Sequence, residues 1–196
     1  MRGTWPVSLR AGDVVLRPLR FRDGRAWHDV RRRNADWLQP WEATLPQPDP
    51  GTPTTFAAMV RQSNAQARAG RALPFGIFMR DAFVGQVTVG GIAGSSLRTC
   101  HIGYWIDQGH AGRGIVPLSV AVVGDYCFSA LHLHRIEINI RPENSASLAV
   151  AAKLGFRDEG LRLRYLHIDG DWRDHQAFAI TAEERPDGLQ HWLRHR

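Results

Sequence analysis

Lysine is all but missing: Lys153 is the only one among 25 lysines and arginines. The net charge of +6 is therefore carried by guanidinium groups, and such an excess favours polyanionic surroundings or phosphate-bearing ligands. Cysteine is scarce too. Cys100 and Cys127 fall on separate predicted elements, with no metal or redox spacing and no disulfide framework, and both are expected to be buried thiols behaving as small hydrophobes. The nine histidines are scattered, so no metal site is implied. No apolar run approaches the ~18 residues of a membrane span. The opening MRGTWPVSLRAGD has no apolar h-region, which predicts no signal peptide and a cytoplasmic protein. No aromatic-interleaved basic repeat marks a nucleic-acid module. RRRN at 31–34 is the one tight basic cluster, on a predicted amphipathic helix; a solvated helix face and an RNA contact explain it about equally.

The 196 residues suit a single domain, 1–196, with a core of about 14–181. VVLRPLR (14–20) reads as a strand and RDGRAWHDVRRRN (22–34) as a helix. Five prolines make 39–55 a loop, and Thr54 or Thr55 is placed to cap a helix of roughly 56–69. PFGIFMR (74–80) and FVGQVTVGGIA (83–93) form a hairpin turning at Asp81–Ala82. TCHIGYWI (99–106) is a strand, 115–129 a helix, HRIEINI (134–140) a strand and NSASLAVAAKLGF (144–156) a helix. RLRYLHIDGDWRDHQAFAIT (162–181) is a hairpin turning at Asp169–Gly170. The order predicts an α/β fold: a mixed sheet with helices on both faces.

The stretch DQGHAGRGIVPLSV runs a glycine-spaced loop into an apolar helix. The first N–H groups of a helix have no partners within it, and the helix dipole adds positive charge there. Ala111, Gly112, Arg113, Gly114 and Ile115 thus offer an anion site, with Arg113 adding a full charge. A Walker loop is excluded, because Ile115 follows Gly114 where Lys-Ser/Thr chemistry is needed. A dinucleotide fingerprint is excluded too, because Pro117 stands at its third glycine.

Taken together, LRPLRFRDG, PWE, IGYWID, GRG, HRIEINIRPENSASLAVAAKLGF and EGLRLRYLHIDGDWRDH resemble the GNAT acetyltransferases. More narrowly they resemble the RimJ/RimL type, which acetylates the N-termini of ribosomal proteins. The resemblance implies a mixed central sheet of about seven strands flanked by helices and splayed between the fourth and fifth. It implies acetyl-CoA as cosubstrate and no metal. Backbone groups of Tyr104, Trp105 and Ile106 would meet the pantetheine and thioester, and N–H groups of 111–115 the diphosphate. Asn144 caps a helix on its own chemistry; the resemblance adds a hydrogen bond to the pantetheine arm. Ser147 would protonate the leaving thiolate, since Ala151 stands where other members carry tyrosine.

The base is less evident. Asn139 occupies the strand position where related enzymes carry glutamate; Glu137 shares its side-chain parity, and His101 is expected to face the cleft or to be satisfied by strand neighbours. Asp174 and His175 are further candidates, Trp172 and Arg173 are rim residues of a substrate tunnel or turn packing, and Tyr165 is expected to be buried. An α-amine, with pKa about 7.7–8.0, is roughly a quarter neutral at pH 7.4, so it needs only a mild base or a water relay. The expected acceptor is accordingly the N-terminus of a protein, a ribosomal one by the resemblance, with weak contact to ribosomal RNA, no membrane, and a monomeric or homodimeric state. A small-molecule amine and a non-catalytic CoA-binding module are the alternatives. An open groove near Trp37, Trp41 and Trp172 would suit a peptide; a closed aromatic pocket would suit a small amine.

Overall fold

The structure is a computed structural model that describes residues 5–195. Gly12, at φ 54°, turns β1 (Leu9–Ala11) into β2 (Val14–Arg17). Three helices follow: α1 (Gly24–Arg33), the single turn α2 (Ala35–Leu38) and α3 (Phe56–Arg68). Thr55 caps α3, its hydroxyl accepting the Ala58 N–H at 3.2 Å. The strands β3 (Leu73–Met79), β4 (Ala82–Ala93) and β5 (Thr99–Ile106) form a meander. Then come α4 (Ile115–Ser129), β6 (Arg135–Ile140), α5 (Ser145–Leu154), the hairpin β7 (Arg157–Ile168) and β8 (Asp171–Thr181), and α6 (Leu189–His195).

All eight strands join one sheet in the order β1-β2-β3-β4-β5-β6-β8-β7. Every neighbouring pair is antiparallel except β5 with β6. The sequence predicted seven of these strands; β1 is the addition, so the expected fourth and fifth are β5 and β6. The turn between β3 and β4 lies at Arg80–Asp81, both at positive φ, one residue earlier than expected. The turn at Asp169–Gly170 stands as expected, with φ 48° and 82°.

One face of the sheet packs against α4 and α5, the other against α1 and α3. Helix α4 is apolar on nearly every side because it is enclosed: Val120 and Val123 are fully buried between the sheet and α6. Burial of each stabilises the fold by roughly 1.5–3 kcal/mol. A Cβ on Gly124 would lie 2.4 Å from Leu189, so its missing side chain lets α6 approach. Cys100 and Cys127 are both buried and face each other between β5 and α4. Among the described residues no helix is long and apolar enough to cross a membrane.

Candidate active site

The one parallel strand pair is short. Register runs through Thr99–Arg135, Cys100–Ile136 and His101–Glu137, and there it stops. Beyond His101, β5 continues to Ile106 paired only with β4, and β6 continues to Ile140 paired only with β8. The strands part because each follows its antiparallel partner. A cleft of about 890 Å³ adjoins the parting. Tyr104, Trp105 and Ile106 form its floor, the α4 N-terminus one wall and α5 with Asn144 and Ser147 another.

The loop before α4 is bare for a conformational reason. Gly112 and Gly114 have φ 72° and 75°, and a Cβ on either would meet nothing within 4 Å. Left-handed backbone, not crowding, therefore demands glycine there. Gly109 is not left-handed and carries no such demand. Among the described residues no N–H of 112–116 donates to another group of the protein. Pro117 has no N–H to offer, and Leu118 already donates to Gly114 O at 3.2 Å. Ile115, Val116 and Pro117 bury their side chains and hold the helix end in place. Ala111, Gly112, Gly114 and Ile115 line the cleft, whereas Arg113 is exposed outside its wall.

Asp107 anchors this loop, and the sequence analysis missed it. It is 5% exposed and accepts from Arg33 Nη2 at 2.7 Å, Asn34 Nδ2 at 2.7 Å and His110 Nδ1 at 2.8 Å. Its hydrogen bond from Arg33 and those from Asn34 and His110 outweigh burial and hold its carboxyl well below the usual range. This also resolves RRRN. Arg31 lines the cleft, the half-exposed Arg33 and the buried Asn34 bind Asp107, and Arg32 points outward, paired with Asp29.

Asn144 caps α5, its Oδ1 accepting the Ser147 N–H at 3.0 Å. Ser147 lines the cleft in the first turn of α5. Tyr104 sends its hydroxyl toward Ser147 O, at 3.5 Å, and burial pushes its phenol up to about 12. Sequence analysis had considered only the backbone of Tyr104.

His101, Glu137 and Asn139 share one face of the sheet and are not part of the cleft wall. The His101 ring lies over Gly90 and Gly91, where a Cβ would come within 2.5 and 2.8 Å of it, and burial lowers its pKa against the pull of Glu137. Arg135 and Arg162 grip the two Glu137 oxygens at 2.9 and 3.0 Å. Asn139 Oδ1 is buried with no partner. His175 is 3% exposed, its Nδ1 3.0 Å from Arg173 O, and burial lowers its pKa. Asp174 accepts the Arg164 N–H at 2.7 Å. Tyr165 is exposed where burial was expected, because β7 is the sheet's last strand.

Trp27, Trp37, Trp41, Arg31 and Glu42 form the remaining wall; Trp172 is exposed and lies outside it. Trp37 Nε1 donates to Ile106 O at 3.2 Å, and the Arg31 guanidinium, ion-paired with Glu42, sits 5.4 Å from the Trp105 ring centre. The 39–44 segment is stitched to the β7–β8 turn, with Thr44 N–H on His167 O and Asp169 N–H on Glu42 O, both at 3.0 Å. Among the described residues no cluster of His, Cys, Asp or Glu could hold a metal ion.

The model of the acetyltransferase (GNAT) domain family matches residues 13–157. The chain belongs to the GNAT acetyltransferases. Acetyl transfer from acetyl-CoA to an amine nitrogen is the reaction of such an enzyme. Relatives within this family are similar over nearly the whole chain. The [ribosomal protein uS5]-alanine N-acetyltransferase of Escherichia coli is 32% identical over 93% of this chain and 94% of its own length. Mycobacterium smegmatis RimJ, solved in complex with CoA-disulfide, is 42% identical with a TM-score of 0.89, covering 97% of this chain and 94% of its own. A ribosomal-protein-S5-alanine acetyltransferase of Vibrio fischeri is 28% identical with a TM-score of 0.78, over 89% and 96%. The parted β5–β6 pair and the glycine loop both lie within the matched GNAT domain.

Proposed function

We propose that this GNAT enzyme acetylates the N-terminal α-amine of a protein, a ribosomal protein by its likeness to the relatives above, with the whole chain acting as one domain. The observation that carries the cosubstrate reading is the parting of β5 and β6 beside the unpartnered N–H groups of 112–116. Backbone amides at a helix start suit a diphosphate, and Arg113 adds charge at the rim. The β5 edge at Tyr104–Ile106, which β6 does not pair and where Trp37 takes only the Ile106 carbonyl, suits the amide groups of a pantetheine arm, with Asn144 at its side.

In this reading amine and thioester meet at the throat of the parting. Holding them in register supplies most of the rate. A backbone N–H of 104–106 faces the oxyanion as it forms; when it collapses the C–S bond breaks, and the Ser147 hydroxyl gives its proton to the departing thiolate and regains one from the acylated nitrogen through a relaying water. Asn139, whose oxygen is buried without a partner, lies outside the cleft wall, so a water rather than this amide relays the proton of the acceptor nitrogen. Glu137 and His101 stand behind Asn139 on the same face.

The test is incubation with acetyl-CoA and a peptide carrying the N-terminus of ribosomal protein uS5, read by mass spectrometry. A gain of one acetyl group on the α-amine is expected. No gain on any ribosomal N-terminal peptide overturns the acceptor assignment. The tryptophan wall of Trp27, Trp37 and Trp41 favours a second reading, a compact aromatic amine, and small amines in the same assay separate the two.

A further inference from the structure

Helix α1 and the loop after β5 are tied by one buried knot. Asn34 is 2% exposed. Its Nδ2 donates to Val30 O at 2.8 Å and to Asp107 Oδ1 at 2.7 Å, and its Oδ1 accepts the Gln108 N–H at 2.8 Å. Asp107 takes Arg33 through Nε at 3.2 Å and Nη2 at 2.7 Å, and His110 at 2.8 Å. Backbone bonds tighten the same turn: His110 N–H reaches Asp107 O at 2.8 Å, and Ala111 N–H reaches Gln108 O at 3.1 Å. The knot thus fixes residues 107–111, the segment that delivers the N–H run of 112–116.

A loop holding two left-handed glycines has many conformations open to it. Side chains that order it in the folded protein remove that cost from ligand binding. The anchoring helix is the one that brings Trp27 and Arg31 to the opposite wall. We propose that Asn34 and Asp107 are positioning residues, which act through the backbone of 107–111 to aim the N–H groups of 112–116 at the cosubstrate's diphosphate. This rests on the reading of 112–116 as the diphosphate seat.

Two donors separate this role from general support of the fold: acetyl-CoA, and acetyl-pantetheine, which lacks the diphosphate. Both are titrated into the full chain, by calorimetry and, for the weaker donor, by ligand-observed NMR. Asn34→Ala is expected to weaken acetyl-CoA about tenfold and to leave acetyl-pantetheine unchanged. Arg33→Ala removes a half-exposed arm and should weaken acetyl-CoA about threefold. Equal loss for both donors, or unchanged acetyl-CoA affinity in a folded Asn34→Ala variant, overturns the proposal. If Asn34→Ala does not fold, Arg33→Ala decides, and unchanged acetyl-CoA affinity overturns it. If the wild type binds acetyl-pantetheine as tightly as acetyl-CoA, the diphosphate reading itself is wrong and the proposal falls with it.

Discussion

Tyr104 and Ser147 meet across the cleft, the tyrosine hydroxyl 3.5 Å from the serine carbonyl oxygen. The tyrosine side chain thus ties the floor of the cleft to the wall that carries Ser147. With its phenol pushed up to about 12, Tyr104 keeps its proton at any ordinary assay pH. Ser147→Ala is expected to lower kcat on the order of a hundredfold while acetyl-CoA affinity stays within about threefold. Tyr104→Phe keeps the ring and should cost less than about tenfold. Steady-state kinetics check both; the reverse order would transfer the acid role to Tyr104.

Gly114 and Gly109 differ in what they demand. An alanine at position 114 is forced into left-handed backbone and should cost about 1–2 kcal/mol. At position 109 the nearest atom to a Cβ is Asp107 Oδ2 at 3.8 Å, an ordinary contact, and the change should stay within about 0.5 kcal/mol. Urea denaturation separates them. Acetyl-CoA affinity should fall only in Gly114→Ala.

Burial lowers the pKa of His175, which is 3% exposed. An unfolded chain has histidines near 6.5, so on acidification it takes up protons before the folded protein does. Stability is therefore full above about pH 6.5 and declines as pH falls beneath it. His175→Gln should flatten the decline of the denaturation midpoint between about pH 7 and 5. An unchanged pH profile would mean His175 is not buried as described. Asp107 acts in a lower window: its depressed carboxyl stabilises the fold above the ordinary aspartate value and loses that effect only in stronger acid.

The sequence disclosed what is local. The limits of α4, the Asn144 cap and the turn at Asp169–Gly170 follow from periodicity, capping chemistry and turn residues close in the chain. The parting of β5 and β6 came only from the family resemblance, since register between distant strands leaves no short-range mark. β1 escaped notice because Leu9–Ala11 is too short to show alternation. The knot was hidden for a similar reason: Arg33 and Asp107 are 74 positions apart. RRRN advertised charge but not destination. Trp37, Trp41 and Glu42 of that wall were visible in the sequence, but Trp27 and Arg31 reach the cleft through helix packing that no short-range pattern marks.

The lone parallel pair divides the sheet into two leaves, β1 to β5 and β6 with β8 and β7, joined by only three residue pairs. So slight a seam cannot hold them together. The fastening is α4, whose buried shaft belongs to the same apolar core as Val87 and Ile102 of one leaf and Ile136 and Ile180 of the other. The molecule is bound like a book along its spine, which is why it can stand open at the page where the chemistry is written.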